Sequence, residues 1–303
     1  MYNDVIYLIT ITLFAAVVNG GLGYGFSSIT VPLALLFLSN RVLNPALVLI
    51  EVALNAYVLY VNRDAVPAVW RRVAPIVIGL MPGVIAGTLI VSLVSQSWLK
   101  LYTYLVLLPL ILIQAAGYRR PIQSERSIGL PFGLGLGVLY SVTTISGPPL
   151  AVMLNNQGLA KREFRAALGI VRLAESTFTA IAYLVAGLFT MRSITLIPQI
   201  LPSVLVGVPI GAYLIRRMPA ETFRRLCISL DAWIVAFGTS TVLRDLKIVE
   251  GPKAFFFLAG VILIDSWLLF RFFSGRAAAT GSPEFANRMT GVPGDSSLAK
   301  AQN

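Results

Sequence analysis

"SVTTISGPPLAVML" (Ser141 to Leu154) places hydroxyls, a glycine and two prolines where a membrane helix would simply continue. A similar stretch, "SSITVPLALLFL" (Ser27 to Leu38), occurs once before it. In hydrocarbon, a broken helix leaves N–H and C=O groups unpaired at several kcal/mol each. Such a break persists only where protein or a wet cavity receives those groups.

Composition sets the solvent. Hydrophobic residues make up 57% of the chain and charged residues 12%, which selects a polytopic membrane protein over a soluble domain. The net charge of +11 then follows from basic cytoplasmic loops, and no nucleic-acid partner is expected. There is no histidine, which removes His-based metal sites, His proton relays and a Ser-His-Asp triad. Neither a metal nor a cofactor is expected. The single cysteine, Cys227, has no intrachain partner for a disulfide. "MYNDVIYLIT" lacks the basic region of a cleaved signal, so the first apolar run is read as part of the mature chain.

The pattern predicts an all-α fold of two similar halves. Residues 1–117 form a first membrane repeat, 118–127 a basic cytoplasmic linker and 128–243 a second repeat. An extra transmembrane helix follows at 254–273, then a disordered cytoplasmic tail at 274–303, rich in Gly, Ala, Ser and Pro. Each repeat opens with two short apolar pieces and continues with three long ones. The short pieces are Val5 to Val18 and Ile29 to Leu38, then Ile128 to Tyr140 and Pro148 to Leu154. "NGGLGYG" (Asn19 to Gly25) cuts the first pair.

Position-by-position matching supports the repeat. A shift of 116 pairs Gly21 with Gly137, Tyr24 with Tyr140 and Pro32 with Pro148. A shift of 124 pairs "GVIAGTLI" (Gly83 to Ile90) with "GVPIGAYL" (Gly207 to Leu214).

Loop charge gives topology. The short pieces cannot span a bilayer of about 30 Å, which needs about 20 helical residues. If each short pair enters and returns on one side, most basic residues fall inside. The inside clusters are those at Arg63, Arg119, Lys161 and Arg216, together with the tail. Arg41, Lys100, Arg192, Arg244, Lys247 and Lys253 fall outside. The N-terminus is then outside and the C-terminus cytoplasmic. Three crossings per repeat invert the second repeat relative to the first, a recurring design of secondary transporters.

Each break precedes a helix start. Thr30-Val31-Pro32 and Ser146-Gly147-Pro148-Pro149 combine a hydroxyl cap with proline in the first turn. Helix N-termini carry partial positive charge and free donors, which suit an anion. Inversion brings the two starts together near the midplane. The expected anion site is lined by Ser27, Ser28, Thr30, Thr143, Thr144 and Ser146, with Gly21, Gly23 and Gly147 allowing close backbone approach.

Charges within spans add candidates, since they are expensive there. Arg172 and Glu175 share a helix face, and Ser176, Thr179 and Tyr183 continue the stripe. Glu51 and Asn55 lie four apart in the first repeat. Arg172 is expected to contact the anion. Glu51, Asn55, Glu175 and Ser176 are expected to form a coupling or polar pathway. A shift of 121 matches Glu51 with Arg172 and one of 124 matches it with Glu175, so the register stays open. Asp231 and Asp265 are read as structural or interface residues.

The motifs "NGGLGYGFSSITVPLALLF" and "GLGVLYSVTTISGPPLAVML", with "PGVIAGTLI" and "VGVPIGAYL", resemble those of the TauE/SafE sulfite-exporter family of membrane permeases. The resemblance covers about Val5 to Leu243. It implies export or exchange of a small sulfur-containing anion such as sulfite, sulfoacetate or a related organosulfonate across a bacterial inner membrane. Thr and Ser replace part of the family's glycine run in the second half, giving a more hydroxylated pocket. The expected partners are that anion and membrane lipids, with a homodimer left open. A passive anion channel and a permease for small carboxylates are the alternatives. An intramembrane phosphatase is disfavoured, because the buried acids are scattered and no Ser-Arg motif sits in a break.

Overall fold

The computed structural model describes residues 2–115, 125–155, 159–214 and 220–280. These are helical, with no strand among them. The helices are α1 (Tyr2–Leu22), α2 (Phe26–Ala34), α3 (Asn40–Val61), α4 (Val66–Leu93), α5 (Gln96–Ala115) and α6 (Glu125–Thr143). They continue as α7 (Gly147–Asn155), α8 (Lys161–Val185), α9 (Met191–Leu214), α10 (Ala220–Asp245) and α11 (Phe255–Thr280). Short 3-10 turns precede α4 at Arg63–Ala65 and α11 at Gly251–Ala254. Seven helical stretches among the described residues are long and apolar enough to cross a membrane, and they lie in α1, α3, α4, α5, α8, α9 and α11. So α1, expected to be too short to span, is among them, and α10, expected as a crossing, is not. The chain is therefore a multi-pass membrane protein. Of the expected linker at 118–127, residues 118–124 lie outside the described residues, as does the tail from 281, and residues 125–127 instead begin α6.

Both breaks are narrower than the sequence suggests. α1 has 21 residues and α6 has 19, both longer than the apolar runs from which they were expected. The glycines at 20 and 21 do not end α1, because α9 packs against them. The chain turns instead at Gly23 (φ 83°) and Gly25 (φ 106°), a conformation glycine adopts without steric cost. In the second half the turn falls on Thr144 (φ 56°), an outlier for a β-branched residue. Only α2 and α7, nine residues each, are half-length.

Thr30 does not cap α2. Gly25 precedes the helix, which starts at Phe26, so Thr30 and Pro32 lie within it. The carbonyl of Pro32 accepts the Tyr104 hydroxyl of α5 at 2.8 Å. The second start lies where the sequence puts it, with Ser146 just before Gly147 and prolines in the first turn. α11 runs past Phe273 to Thr280, because Ala277, Ala278 and Ala279 are strong helix formers.

Two helix pairs pack through small residues, as membrane helices do when backbones approach closely. A methyl at Gly83 of α4 would strike the Leu134 carbonyl of α6, and one at Gly211 of α9 would strike the Val17 carbonyl of α1. The "GVIAGTLI" and "GVPIGAYL" motifs are thus helix-packing faces. Ser203, Gly207 and Gly211 of α9 meet Ile9, Leu13 and Val17 of α1. Gly79, Gly83 and Gly87 of α4 meet Leu130, Leu134 and Val138 of α6. Residue numbers rise together in both pairs, so each pair is parallel. α3 and α8 run antiparallel: Gly169 lies beside Leu59, and Arg172 reaches Glu51.

These contacts set the register. The α4 and α9 triplets are 124 positions apart, whereas their α6 and α1 partners are 121 apart. The offset of 121 also relates the starts of α2 and α7, the starts of α3 and α8, and the positive-φ residues Gly23 and Thr144. The shift of 116 read from residue identity is therefore not the packing register. Ala16, not Gly21, takes the position equivalent to Gly137, because close approach needs a small residue rather than a glycine. The 121 offset makes Glu51 and Arg172 equivalent positions.

The packing units do not follow the two halves of the sequence. One buried cluster joins α1, α2, α3 and α5 with α9 and α10 through Phe26, Leu47, Tyr104, Ile200 and Val235. The other joins α4 with α6, α7 and α8 through Leu80, Leu136, Leu150 and Val171. The first half thus lends α4 to the second half's core, and the second half lends α9 and α10 to the first's.

Candidate functional site

The two breaks meet in the interior. Gly147 at the start of α7 lies against Tyr24, which sits between α1 and α2. Around this junction the structure gathers Ser27, Glu51, Tyr140, Ser146, Arg172 and Glu175, all buried.

Glu51, near the middle of α3, is the hub. Its carboxylate accepts Ser27 Oγ at 2.6 Å and the Tyr140 hydroxyl at 2.7 Å. It also takes Arg172 Nη2 at 3.0 Å. Glu175, one turn along α8 from Arg172, accepts the Ser146 hydroxyl. Its Oε1 stands 3.9 Å from Arg172 Nε, an ion-pair distance without a hydrogen bond. Asn55 Nδ2 and Ser176 Oγ both donate to the Arg172 carbonyl, at 3.3 and 2.7 Å. They position the arginine through its backbone.

Several buried polar atoms here have no hydrogen-bond partner: Arg172 Nε, Glu175 Oε2, Thr179 Oγ1 on α8 and Thr30 Oγ1 on α2. Native interiors rarely leave such groups unpaired, and Arg172 Nε and Glu175 Oε2 belong to one ion cluster, which marks a place where a further partner fits. Arg172 is only 3% exposed, so it does not snorkel to the membrane surface.

Other expected lining residues do different work. Thr143 Oγ1 donates to the Leu139 carbonyl at 2.7 Å and accepts the Ile145 N–H at 3.0 Å, closing its own turn. The Thr144 hydroxyl is spent on the Thr143 carbonyl at 2.7 Å. Gly21 packs on α9, where its N–H lies beside Gly211, and does not line the junction. Gly23 is half-buried with open space beside it, and Ser28 is buried in the first turn of α2.

Tyr140 is the residue that sequence reasoning missed. It served there only as a repeat marker, although a phenol in a hydroxyl-rich break was the available signal. Asn44 was also missed, and Tyr183, read only as part of the α8 stripe, is a support. Asn44 Nδ2 donates to the Val142 carbonyl at 2.8 Å, and the Tyr183 hydroxyl donates to the Ser141 carbonyl. Together they satisfy the carbonyls freed at the end of α6. Away from the site, Arg225 Nη2 and Asp265 Oδ1 pair at 3.1 Å and tie α11 to α10.

The protein is thus a multi-pass membrane protein whose apolar helical bundle encloses a buried ionic cluster at paired helix breaks. The chain matches the family described as sulfite exporter TauE/SafE over residues 8–237, and it belongs to that family of transporters. It is similar to the probable sulfite/organosulfonate exporter TauE of Cupriavidus necator, 31% identical over 112 residues. That match covers 36% of this chain and 44% of the relative's length. No solved structure matches.

Proposed function

We propose that the protein is a secondary transporter that exports or exchanges a small sulfur-containing anion across the inner membrane. Sulfite, sulfoacetate or a related organosulfonate is the substrate class. The observation that carries this reading is a buried guanidinium, Arg172, with an unpartnered Nε–H at the junction of two helix breaks. The starts of α2 and α7 add donors and partial positive charge on either side of it. Ser27, Ser146, Thr30, Thr179 and Arg172 form the binding site, and Glu51 and Glu175 the polar pathway.

The two halves act as inverted repeats, with α1–α2 and α6–α7 as re-entrant pairs. Antiparallel α3 and α8 support this reading, as do the parallel pairs α1–α9 and α4–α6. The shared end of the bundle supports it too. Arg41 at the start of α3 donates to the carbonyls of Val91 and Ser92 at 3.1 and 2.9 Å. Lys100 near the start of α5 donates to the Leu35 carbonyl at 2.6 Å, just beyond α2. That end is the outer one by loop charge, which puts the N-terminus outside and the C-terminus in the cytoplasm. Lipids cover the exposed apolar faces, among them Ile85 and Leu89 of α4.

Counterflow in proteoliposomes tests the function. Sulfite or sulfoacetate inside the vesicles should accelerate saturable uptake of the labelled anion from outside. Large ohmic currents without trans-stimulation would replace the carrier with a channel. Movement of small carboxylates alone would replace the substrate class.

A further inference from the structure

Two carboxylates share one guanidinium in this site, and that ratio constrains how an anion can enter. Glu51 holds Arg172 Nη2 at 3.0 Å, and Glu175 lies 3.9 Å from Nε. With both carboxylates ionised the cluster carries one net negative charge. An incoming anion would raise this to two or more inside the membrane, where unpaired charge is expensive. The hydroxyls nearest the carboxylates are already committed, Ser27 and Tyr140 to Glu51 and Ser146 to Glu175. Glu51 and Glu175 therefore occupy the places that a substrate anion would take.

We propose that Glu51 and the transported anion compete for Arg172, and that Glu51 yields on taking up a proton, so that anion and proton move together in the same direction. This rests on the transport reading above and adds the coupling ion and its sign. The proton comes from whichever aqueous face is open to the site and adds to the Glu51 carboxylate. The neutral acid releases Arg172, whose guanidinium then pairs with the anion. On the opposite face the anion leaves, Glu51 loses its proton to water, and the Glu51–Arg172 pair re-forms. A singly charged anion with one proton leaves the cluster's charge unchanged throughout.

Glu51 is the exchanging group because its carboxylate hydrogen-bonds the Arg172 guanidinium, whereas Glu175 stands 3.9 Å from Nε without a hydrogen bond to it. The ionisable groups that face Glu51 are Arg172 and Glu175 on α8 and Tyr140 on α6. α2 presents only the Ser27 hydroxyl. On α5, Tyr104 is engaged by the Pro32 carbonyl and Lys100 by the Leu35 carbonyl. On α9, Arg192 and Tyr213 are exposed at the helix ends. Opposed movement of anion and proton would require the empty carrier to return with Glu51 neutral and Arg172 buried without its partner, the costly state for a buried pair.

The test uses the full-length protein in proteoliposomes with a lumenal pH dye and methanesulfonate as probe. That anion keeps a single charge across the usable pH range, so any pH effect belongs to the protein. An inward methanesulfonate gradient should acidify the lumen by one proton per anion, at a rate indifferent to a clamped membrane potential. Apparent affinity should tighten by up to about tenfold per unit of falling pH, the limit for one linked proton. Uptake without acidification, or with alkalinisation, overturns the proposal. Glu51→Gln should lose the lumenal acidification that accompanies methanesulfonate entry and the tightening of its affinity with falling pH. Wild-type pH dependence in that variant overturns the assignment to Glu51, and the wild-type proton flux stands as a test even if the variant does not fold. Failure of both methanesulfonate and sulfite to enter at any pH would refute the transport reading itself, a result distinct from uncoupled uptake.

Discussion

Replacing Arg172 with Met removes the charge while keeping an unbranched chain of similar reach. Glu51 then keeps Ser27 and Tyr140, at 2.6 and 2.7 Å, but loses its only hydrogen-bonded cation. Breaking a buried pair on one side costs about 3–5 kcal/mol, mainly because the remaining charge stays buried. Two charge-assisted hydrogen bonds, each worth about 1.5–3 kcal/mol, keep Glu51 in place rather than letting it relax outward. Arg172→Met should therefore sit near the upper part of that range at alkaline pH. Glu51→Gln in the same chain removes the uncompensated charge and keeps an acceptor for Ser27. The double variant should recover about 2 kcal/mol or more relative to the sum of the single effects. Unfolding by SDS in mixed micelles, run as a double-mutant cycle at pH 8, measures this coupling. Additivity within about 0.5 kcal/mol, the behaviour of independent sites, would refute the pairing on which the site reading depends.

Gly83→Leu and Gly211→Leu should each abolish the folded, monodisperse protein in fluorescence-detected size-exclusion, because backbone carbonyls block the space. Gly135→Ala, which has open space, should be tolerated. Thr144→Gly should raise the melting temperature, by relief of about 1 kcal/mol of left-handed strain, and preserve transport, since that hydroxyl is spent on its own turn; loss of transport would return Thr144 to the site. For topology, single cysteines replace Arg192 and Asp64 in a Cys227→Ser background. The first should react with an impermeant maleimide in intact cells and the second only after permeabilisation, and the reverse pattern would invert the proposed orientation.

The sequence by itself determined the solvent, the helical class, the repetition and the places where helices break. Each of these depends on local chemistry: apolar length, loop charge, and glycine or proline within an apolar run. Ser146 and the prolines after it mark the start of α7 in this local sense, and Arg172 and Glu175 reveal themselves by their cost in a membrane. Tertiary structure alone decided the register. Close backbone approach accepts Ala16 where the other half has Gly137, so residue identity misaligned the halves by five positions. Packing likewise moved the start of α2 from Thr30 to Phe26 and gave Tyr140 its role at Glu51. The meeting of Glu51 and Arg172, 121 residues apart, is a property of two antiparallel helices, and no spacing within either helix encodes it.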